Sequence, residues 1–514
     1  MGSQSEQFNI VNLFYESAKK YPEKTAIIYQ NKNISFKELE YQVTETANYF
    51  LSKGIKKGDR AMVFIPMSID LYRIVLALFR IGATAVFLDE WVGKKRMEEC
   101  CKVANCKVFI GILKARIFSW FSFELRKIPI KLGLKYSKIN SNYTFAPTKR
   151  EDTALITFTT GSTGTPKAAK RTHGFLENQF NALIEKIQPS ESEIDMPVLP
   201  IVLLINLGTG STSVIADYKI SKPNSLQPEK IIVQLKKHAV NRIIASPFFV
   251  KEISKYIIKR KIILPEIKKI FTGGAPVFPS EAKTYNAAFK MAAIEVVYGS
   301  TEAEPISSIN VHNLITEKDK ILSQGLKVGK PDKSVQVKII KIIDQDISIK
   351  SLDELINLEL EFGTIGEIIV TGDHVLSEYF NNDQALKRNK IFIQDKCWHR
   401  TGDSGYIDDS GILFLTGRCA TLIYKDTEII SPFIYENYFQ TIDGVELGTI
   451  LILNKKLTAI IELNDASLKN SVKNIIYDLD ISFKDLIFIK RIPRDPRHNS
   501  KIDYSKLTAE LARN

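Results

Sequence analysis

Along this chain, stretches with apolar residues three and four positions apart alternate with short β-prone runs, so helical and strand patterns take turns. Helical spacing over 11–20 gives way to β-prone runs at 25–29 and 34–36, with Asn31-Lys32-Asn33 as the turn between them. A second helical stretch covers 37–54, a strand 60–65, and an apolar helix 69–81 that Gly82 stops. The rhythm returns later, with a strand at 243–246, a corner at Pro247-Phe248-Phe249, a helix up to Arg260 and a strand at 267–272. Strands alternating with helices predict an α/β fold of layered, largely parallel sheets. Shorter runs punctuated by turns at 325–331, 363–370 and 376–380, and a strand at 412–415 after the turn 408–411, predict a smaller β-rich subdomain.

The uncharged run 196–216 is long enough to span a bilayer, but Pro197, Pro200, Gly208 and Gly210 interrupt it. It reads as two buried strands or a short helix broken by loops, and therefore as core. At 514 residues and 44% hydrophobic, the chain exceeds the ~250–300 residues at which single cores divide, so two or three domains are expected. The formal charge of +13 comes mostly from scattered lysines. No zinc-finger spacing, recognition-helix pattern or aromatic RNA-binding signature accompanies it, so no nucleic-acid partner is expected. The five cysteines are odd in number and spaced for neither a disulfide framework nor a zinc site, which fits a reducing compartment. The first residues show no charged segment leading into an apolar core, and a cytoplasmic location is expected.

Residues 114–138 are the most basic segment, with Lys114, Arg116, Arg126, Lys127, Lys131, Lys135 and Lys138 against the single acid Glu124. Phe118, Trp120, Phe121 and Phe123 lie among them. The plainer reading is an ordinary surface helix whose rings pack inward; the other is a patch making peripheral contact with an anionic membrane.

The richest chemistry follows the apolar run that begins at Leu155. It empties into Thr159, Thr160, Gly161, Ser162, Thr163, Gly164, Thr165, Pro166 and Lys167, offering hydroxyls, close-approaching amides and a cation to a polyphosphate. A Walker A loop would end in Gly-Lys-Ser/Thr, and this one does not. Taken singly it could be a linking turn. His173 then opens a helix, where a histidine is either structural or an assistant at a site. The strand 267–272 ends in Gly273-Gly274-Ala275-Pro276, and a second strand at 293–297 ends in Tyr298-Gly299-Ser300-Thr301-Glu302. Glycines at a strand's carboxyl end admit a flat ligand, an aromatic ring suits a base, a hydroxyl suits a phosphoryl oxygen, and a carboxylate suits a hard cation. Trp398-His399-Arg400-Thr401-Gly402-Asp403 supplies a carboxylate that can accept from two ribose hydroxyls. Gly417-Arg418 and the terminal 497–503 segment with Lys501 complete the series.

In this order the motifs resemble those of the adenylate-forming superfamily of acyl-CoA synthetases, adenylation domains and luciferases. The resemblance implies a large N-terminal adenylation domain over 1–417, with layered sheets and helices and a β-rich subdomain. It also implies a small mobile α+β lid domain over 418–514, hinged at Gly417. It implies ATP and Mg²⁺: Thr160, Gly161, Ser162, Thr163, Gly164, Thr165 and Lys167 would grip the β- and γ-phosphates, and Tyr298 would stack on adenine. Gly274, Ala275, Pro276, Gly299 and Ser300 would line the nucleotide, Thr301 would contact the α-phosphate, and Glu302 would hold the metal. Asp403 would bind the ribose, Arg418 the ribose or phosphates, and Lys501 the carboxylate and α-phosphate during adenylation. The partner is a carboxylic acid, aliphatic in character, with CoA or the pantetheine of a carrier protein as an acceptor and pathway enzymes as further partners.

Departures from the family pattern narrow the branch. Ala420 and Thr427 stand where acyl-CoA synthetases carry a lysine and a pantetheine-admitting glycine, and Leu203 stands where they carry a histidine. The run 199–203 is thus an acyl-chain wall or a buried strand. Residues 109–115, 158–164, 398–400 and 497–502 look like the bacterial olefin β-lactone synthetases, which adenylate a 3-hydroxy acid and let its own hydroxyl close the ring. Three readings follow: adenylation with lactone closure, adenylation with thioester formation, and a nucleotide-binding interaction protein without turnover. Intact Lys501, Glu302, Asp403 and Arg418 argue against the third.

Overall fold

The computed structural model describes residues 7–88, 94–139, 143–159, 166–219, 222–315, 321–425, 428–479, 483, 485–494 and 501–512. Local signals set the ends of its elements. The helix Ile69–Arg80 begins where the Ser68 hydroxyl accepts from the Leu71 amide at 3.3 Å, with Asp70 in its first turn. Leu71 to Phe79 are buried on every face, because the helix lies between the helix Phe36–Ser52 and a sheet.

Two mostly parallel sheets form the centre. In one, the described strands run in the order Ala303–Asn310, Ala293–Ser300, Lys269–Gly273, Arg242–Ala245, Ile194–Pro197, Thr212–Ile215, Thr25–Tyr29 and Lys32–Ser35, antiparallel only at its two edges. In the other, the order is Ile130–Leu132, Val108–Gly111, Arg60–Phe64, Thr84–Phe87, Thr153–Thr159 and Lys167–Thr172, the last pair antiparallel. A third, antiparallel sheet carries Leu326–Gly329, Leu413–Arg418, Lys396–Ile407, Gly366–Thr371 and Gln336–Ile340, with Lys390–Ile393 paired to Lys396–Ile407. This is the β-rich part expected from the turn-punctuated runs.

A smaller C-terminal domain follows, in which Val445–Leu453, Lys456–Leu463 and Asp485–Ile489 form a sheet covered by the helices Pro432–Phe439, Lys469–Tyr477 and Tyr504–Leu511. Its buried Glu436 accepts hydrogen bonds from the hydroxyls of Tyr504 and Thr449, and burial pushes this carboxyl up to about 7.

Several expectations are corrected. The first hairpin turns at Gln30 and Asn31, because Lys32 already pairs with Tyr29. Pro247 is no corner: it starts the helix Pro247–Arg260, where its missing N–H costs nothing and the Ser246 hydroxyl caps the turn. The run 196–216 is two buried strands with the helix Pro200–Thr209 between them, so 199–203 is not a strand. Residues 376–380 form no strand either; they cross between two sheets on isolated hydrogen bonds. The rings of 118–123 do not pack inward: Trp120 and Phe121 are each 74% exposed. No helix of the described residues is long and apolar enough to cross a membrane, and the five cysteines are free thiols.

Candidate active site

Parallel pairing sets the frame. Lys269–Gly273 lies beside Ala293–Ser300 with Gly273 opposite Val297, so the Gly-Gly-Ala-Pro turn and Tyr298 leave the sheet at the same end. Only glycine fits at 273, since an added Cβ would stand 2.4 Å from the Val297 carbonyl oxygen. The strand does not stop before Tyr298, as the sequence suggested. It runs through Ser300 and folds back as Ala303–Asn310, so Thr301 and Glu302 form a tight hairpin turn instead of an open loop. The Ser300 hydroxyl accepts the amides of Glu302 at 3.3 Å and Ala303 at 3.2 Å and fixes that turn.

The third sheet brings Asp403 to this point. Asp403 on Lys396–Ile407 pairs across the ladder with Arg418 on Leu413–Arg418. Its carboxylate is held from two sides: the Tyr298 hydroxyl donates to Oδ2 at 2.8 Å and the Arg418 guanidinium to Oδ1 at 2.7 Å. Arg418 also donates to the Thr401 carbonyl at 3.1 Å, and the Thr401 hydroxyl accepts the Asp403 amide at 3.0 Å. Burial, then the adjacent carboxylate, pushes the Tyr298 phenol well above its ordinary range, so it is a fixed donor at neutral pH. The preceding residues are anchors: Trp398 is buried, and Arg400 donates to the buried Glu367 carboxylate at 2.6 and 3.0 Å.

Glu302 faces a different neighbour. Tyr379 donates to its Oε1 at 3.1 Å, while Arg171 donates to the carbonyl of Thr301 at 3.0 Å. Lys390 is buried beside Tyr379, its ammonium 5.5 Å from the ring centre and bonded to the Leu376 carbonyl, and burial lowers it to about 8. Lys167 opens the edge strand Lys167–Thr172 opposite Thr159 and donates to Asn389 at 3.2 Å. Burial lowers its ammonium too, with Glu302 opposing the shift and Arg418 and Arg388 adding to it. A carboxylate and several cations thus share one partly buried space, suited to an anionic ligand that brings its own counter-ion.

Tyr298, Asp403 and Arg418 are directly joined, and Thr301, Glu302 and Lys167 lie around them; Gly274, Ala275 and Pro276 enter from the next strand. Thr160 to Thr165 lie outside the described residues, as does Thr427. Lys501 is exposed on the C-terminal domain, beside the bridge between Arg494 and Ile502. His173 is structural: fully buried, it accepts the Ile10 amide at 3.2 Å and packs edge-on against Phe79. Sequence reasoning missed Tyr379, Asn389, Lys390 and Arg171. Tyr379 stands in a stretch that looked like one more short strand, and no periodicity links it to Glu302.

Among known proteins, the chain is 28% identical over 408 residues to an olefin beta-lactone synthetase of Xanthomonas campestris, covering 75% of this chain and 72% of that one. It is 24% identical over 431 residues to a 2-succinylbenzoate–CoA ligase of Listeria monocytogenes, covering 82% and 81%. Among solved structures, the O-succinylbenzoate coenzyme A synthetase of Bacillus subtilis in complex with ATP and magnesium ion shares the fold. Its TM-score is 0.78 at 20% identity, over 97% of this chain and 99% of that one. The family model for AMP-binding enzymes matches residues 14–380, well over half of the chain, and the chain therefore belongs to the AMP-binding, adenylate-forming enzymes.

Proposed function

We propose that this adenylate-forming ligase activates an aliphatic 3-hydroxy acid, and that the acyl-adenylate then closes on its own hydroxyl to a β-lactone. The observation that carries the nucleotide half is the Asp403 carboxylate held by Tyr298 and Arg418. Each carboxylate oxygen spends one acceptor position on these partners and keeps another, enough for the two hydroxyls of a ribose. Anchoring the phenol at its hydroxyl leaves the Tyr298 ring face to stack on adenine, with Gly274, Ala275, Pro276, Gly299 and Ser300 along the base and sugar. Thr160 to Lys167 take the β- and γ-phosphates, Thr301 and Lys501 the α-phosphate.

The residues fit a magnesium ion: Glu302 offers a hard carboxylate that Tyr379 holds in place, which suits a cation shared between one side chain and the substrate's phosphates. Bound there, it would neutralise phosphate charge. Tyr379 fixes the Glu302 carboxylate toward that role, and Lys501 offsets the repulsion as the acid's carboxylate meets the α-phosphate.

An apolar wall supports an aliphatic substrate. Leu199, Ile201, Val202 and Ile205, on and beside the helix Pro200–Thr209, pack with Phe271 and with Val297. In the second step the 3-hydroxyl oxygen bonds to the acyl carbon, AMP leaves with the bonding pair, and the hydroxyl proton is released. Ala420 and Thr427 favour this over thioester formation, since no pantetheine has to pass. The second reading, a CoA or carrier-protein ligase, draws on the succinylbenzoate–CoA ligase likeness. In both, the domain boundary lies at 417/418 with Gly417 as pivot; its φ of +116° and the 2.7 Å from an added Cβ to Phe433 already require glycine.

Pyrophosphate release across fatty and 3-hydroxy fatty acids, with and without CoA, followed by mass analysis, tests this. The expected result is CoA-independent release and a product one water lighter than the hydroxy acid. A CoA thioester as product would overturn the lactone step in favour of the ligase reading.

A further inference from the structure

The helix Leu113–Phe121 is inside out. It meets the rest of the molecule through small side chains: Ser119 is fully buried, and Ala115 packs so closely over Gly111 that an added Cβ there would stand 3.1 Å from the Ala115 Cβ. Leu113, Ile117, Trp120 and Phe121, spaced four, seven and eight residues from the first, share the opposite face. That face meets water, with Leu113 63% and Trp120 74% exposed, and Phe123 in the next turn continues it. An exposed apolar face of this kind marks an interaction site.

Cations surround it. Lys114, Arg126 and Lys127 are exposed, and the ammonium of Lys127 lies 3.9 Å from the centre of the Phe123 ring. The one acid of 114–138, Glu124, is paired with Lys127 at 2.8 Å. The corner after the helix is fixed by Glu98, whose carboxylate accepts from the Ser122 hydroxyl at 2.7 Å and the amides of Phe123 and Glu124 at 2.9 and 2.7 Å. Burial works against this carboxylate's charge, but the three donors outweigh it and hold the group below its ordinary range.

We propose that this face docks on an anionic lipid bilayer, with Leu113, Ile117, Trp120 and Phe121 entering the boundary between headgroups and acyl chains and Lys114, Arg126 and Lys127 meeting lipid phosphates. Charge decides among the occupants. A second copy placed by a two-fold axis would bring this ring of cations against itself, whereas anionic headgroups neutralise it. At 9 residues the helix is far too short to span, so it lies in the plane of the interface, where tryptophan is favoured. The inference is independent of which acid is activated.

The test is co-sedimentation of the full chain with vesicles of phosphatidylcholine alone and of phosphatidylcholine mixed with phosphatidylglycerol. The protein is expected to bind the mixed vesicles and to be released by salt. Trp120→Ser with Phe121→Ser should weaken partitioning roughly tenfold or more, as loss of two inserted rings requires. Lys114→Glu with Arg126→Glu should abolish the preference for the anionic lipid. Both double variants should keep the parent's melting temperature and its pyrophosphate release with a soluble acid. Equal binding to both vesicles, or serine variants that bind like the parent, would overturn the proposal. So would a chain that ignores vesicles but passes from dimer to monomer on Trp120→Ser, which would make this face a contact between copies.

Discussion

Asp403 joins a phenol from one sheet to a guanidinium from its own ladder, so one change at this carboxylate disturbs three side chains. Asp403→Asn removes the charge that holds Arg418 and turns one acceptor into a donor facing Tyr298 or Arg418. The rate of acid-dependent pyrophosphate release at low ATP should fall by about 10- to 100-fold, matching the ~1.5–3 kcal/mol carried by a hydrogen bond to a charged group. Circular dichroism should stay that of the parent. His173 acts on stability instead. Burial lowers it to about 4, against the ordinary 6.5 of the unfolded chain, so between these values the unfolded chain binds the extra proton. Its contribution is therefore complete above pH 6.5 and is lost as pH falls toward 4, by an amount on the order of 3 kcal/mol. Urea midpoints measured from pH 7 to 4.5 should fall less steeply for His173→Asn than for the parent.

At the scale of elements, a close backbone approach beneath the candidate site lies between the strands Lys269–Gly273 and Ala293–Ser300. Gly273→Val puts a branched side chain where even a Cβ would be 2.4 Å from a backbone oxygen, so the strands must part just below Tyr298. A loss of roughly 3 kcal/mol is expected in chemical denaturation, at the upper end for overpacking, together with loss of pyrophosphate release. Elements with a long apolar period could be read directly: the helices Val11–Lys20 and Ile69–Arg80 lie where the spacing put them. The turns at 273–276 and 298–302 were legible because strand ends in parallel sheets deliver side chains to one rim, whereas Asp403, inside the antiparallel strand Lys396–Ile407, was marked only by the motif around it. The orientation of Leu113–Phe121 was not. Periodicity defines a stripe but not which side is covered, and here Ala115 and Ser119 make the buried side by being small. Residues 376–380 misled for a related reason: an extended backbone between turns looks like a strand whether or not a ladder receives it. Tyr379 was hidden because its partner Glu302 is 77 residues away.

On the scale of the whole molecule, the candidate site lies where three sheets meet. Lys167 comes from the edge of one, Tyr298 and Glu302 from the hairpin edge of another, Asp403 and Arg418 from the third. Besides side-chain bonds such as Tyr298 to Asp403, Arg171 to Thr301 and Lys167 to Asn389, the backbone of 375–380 joins these layers only through isolated bonds. The single bridge of Val375 to Ala303 carries the bond from the Leu376 amide to the Glu302 carbonyl at 2.7 Å, and the single bridge of Tyr379 to Ala169 carries those from Phe380 to the Ala168 carbonyl at 2.8 Å and from Lys170 to the Glu378 carbonyl at 3.4 Å. Residues 375–380 are therefore a seam, and a seam of isolated bonds opens at lower cost than a ladder. The amides of Leu376 and Phe380 should exchange with deuterium sooner than those of the strands on either side. A nucleotide that touches all three layers would tie them together, and at a hundredfold excess over its dissociation constant it contributes about 2.7 kcal/mol to the closed state. Saturating ATP should then slow exchange at these two amides by up to about a hundredfold, while the C-terminal sheet, which has no stitch in this seam, keeps its own rate.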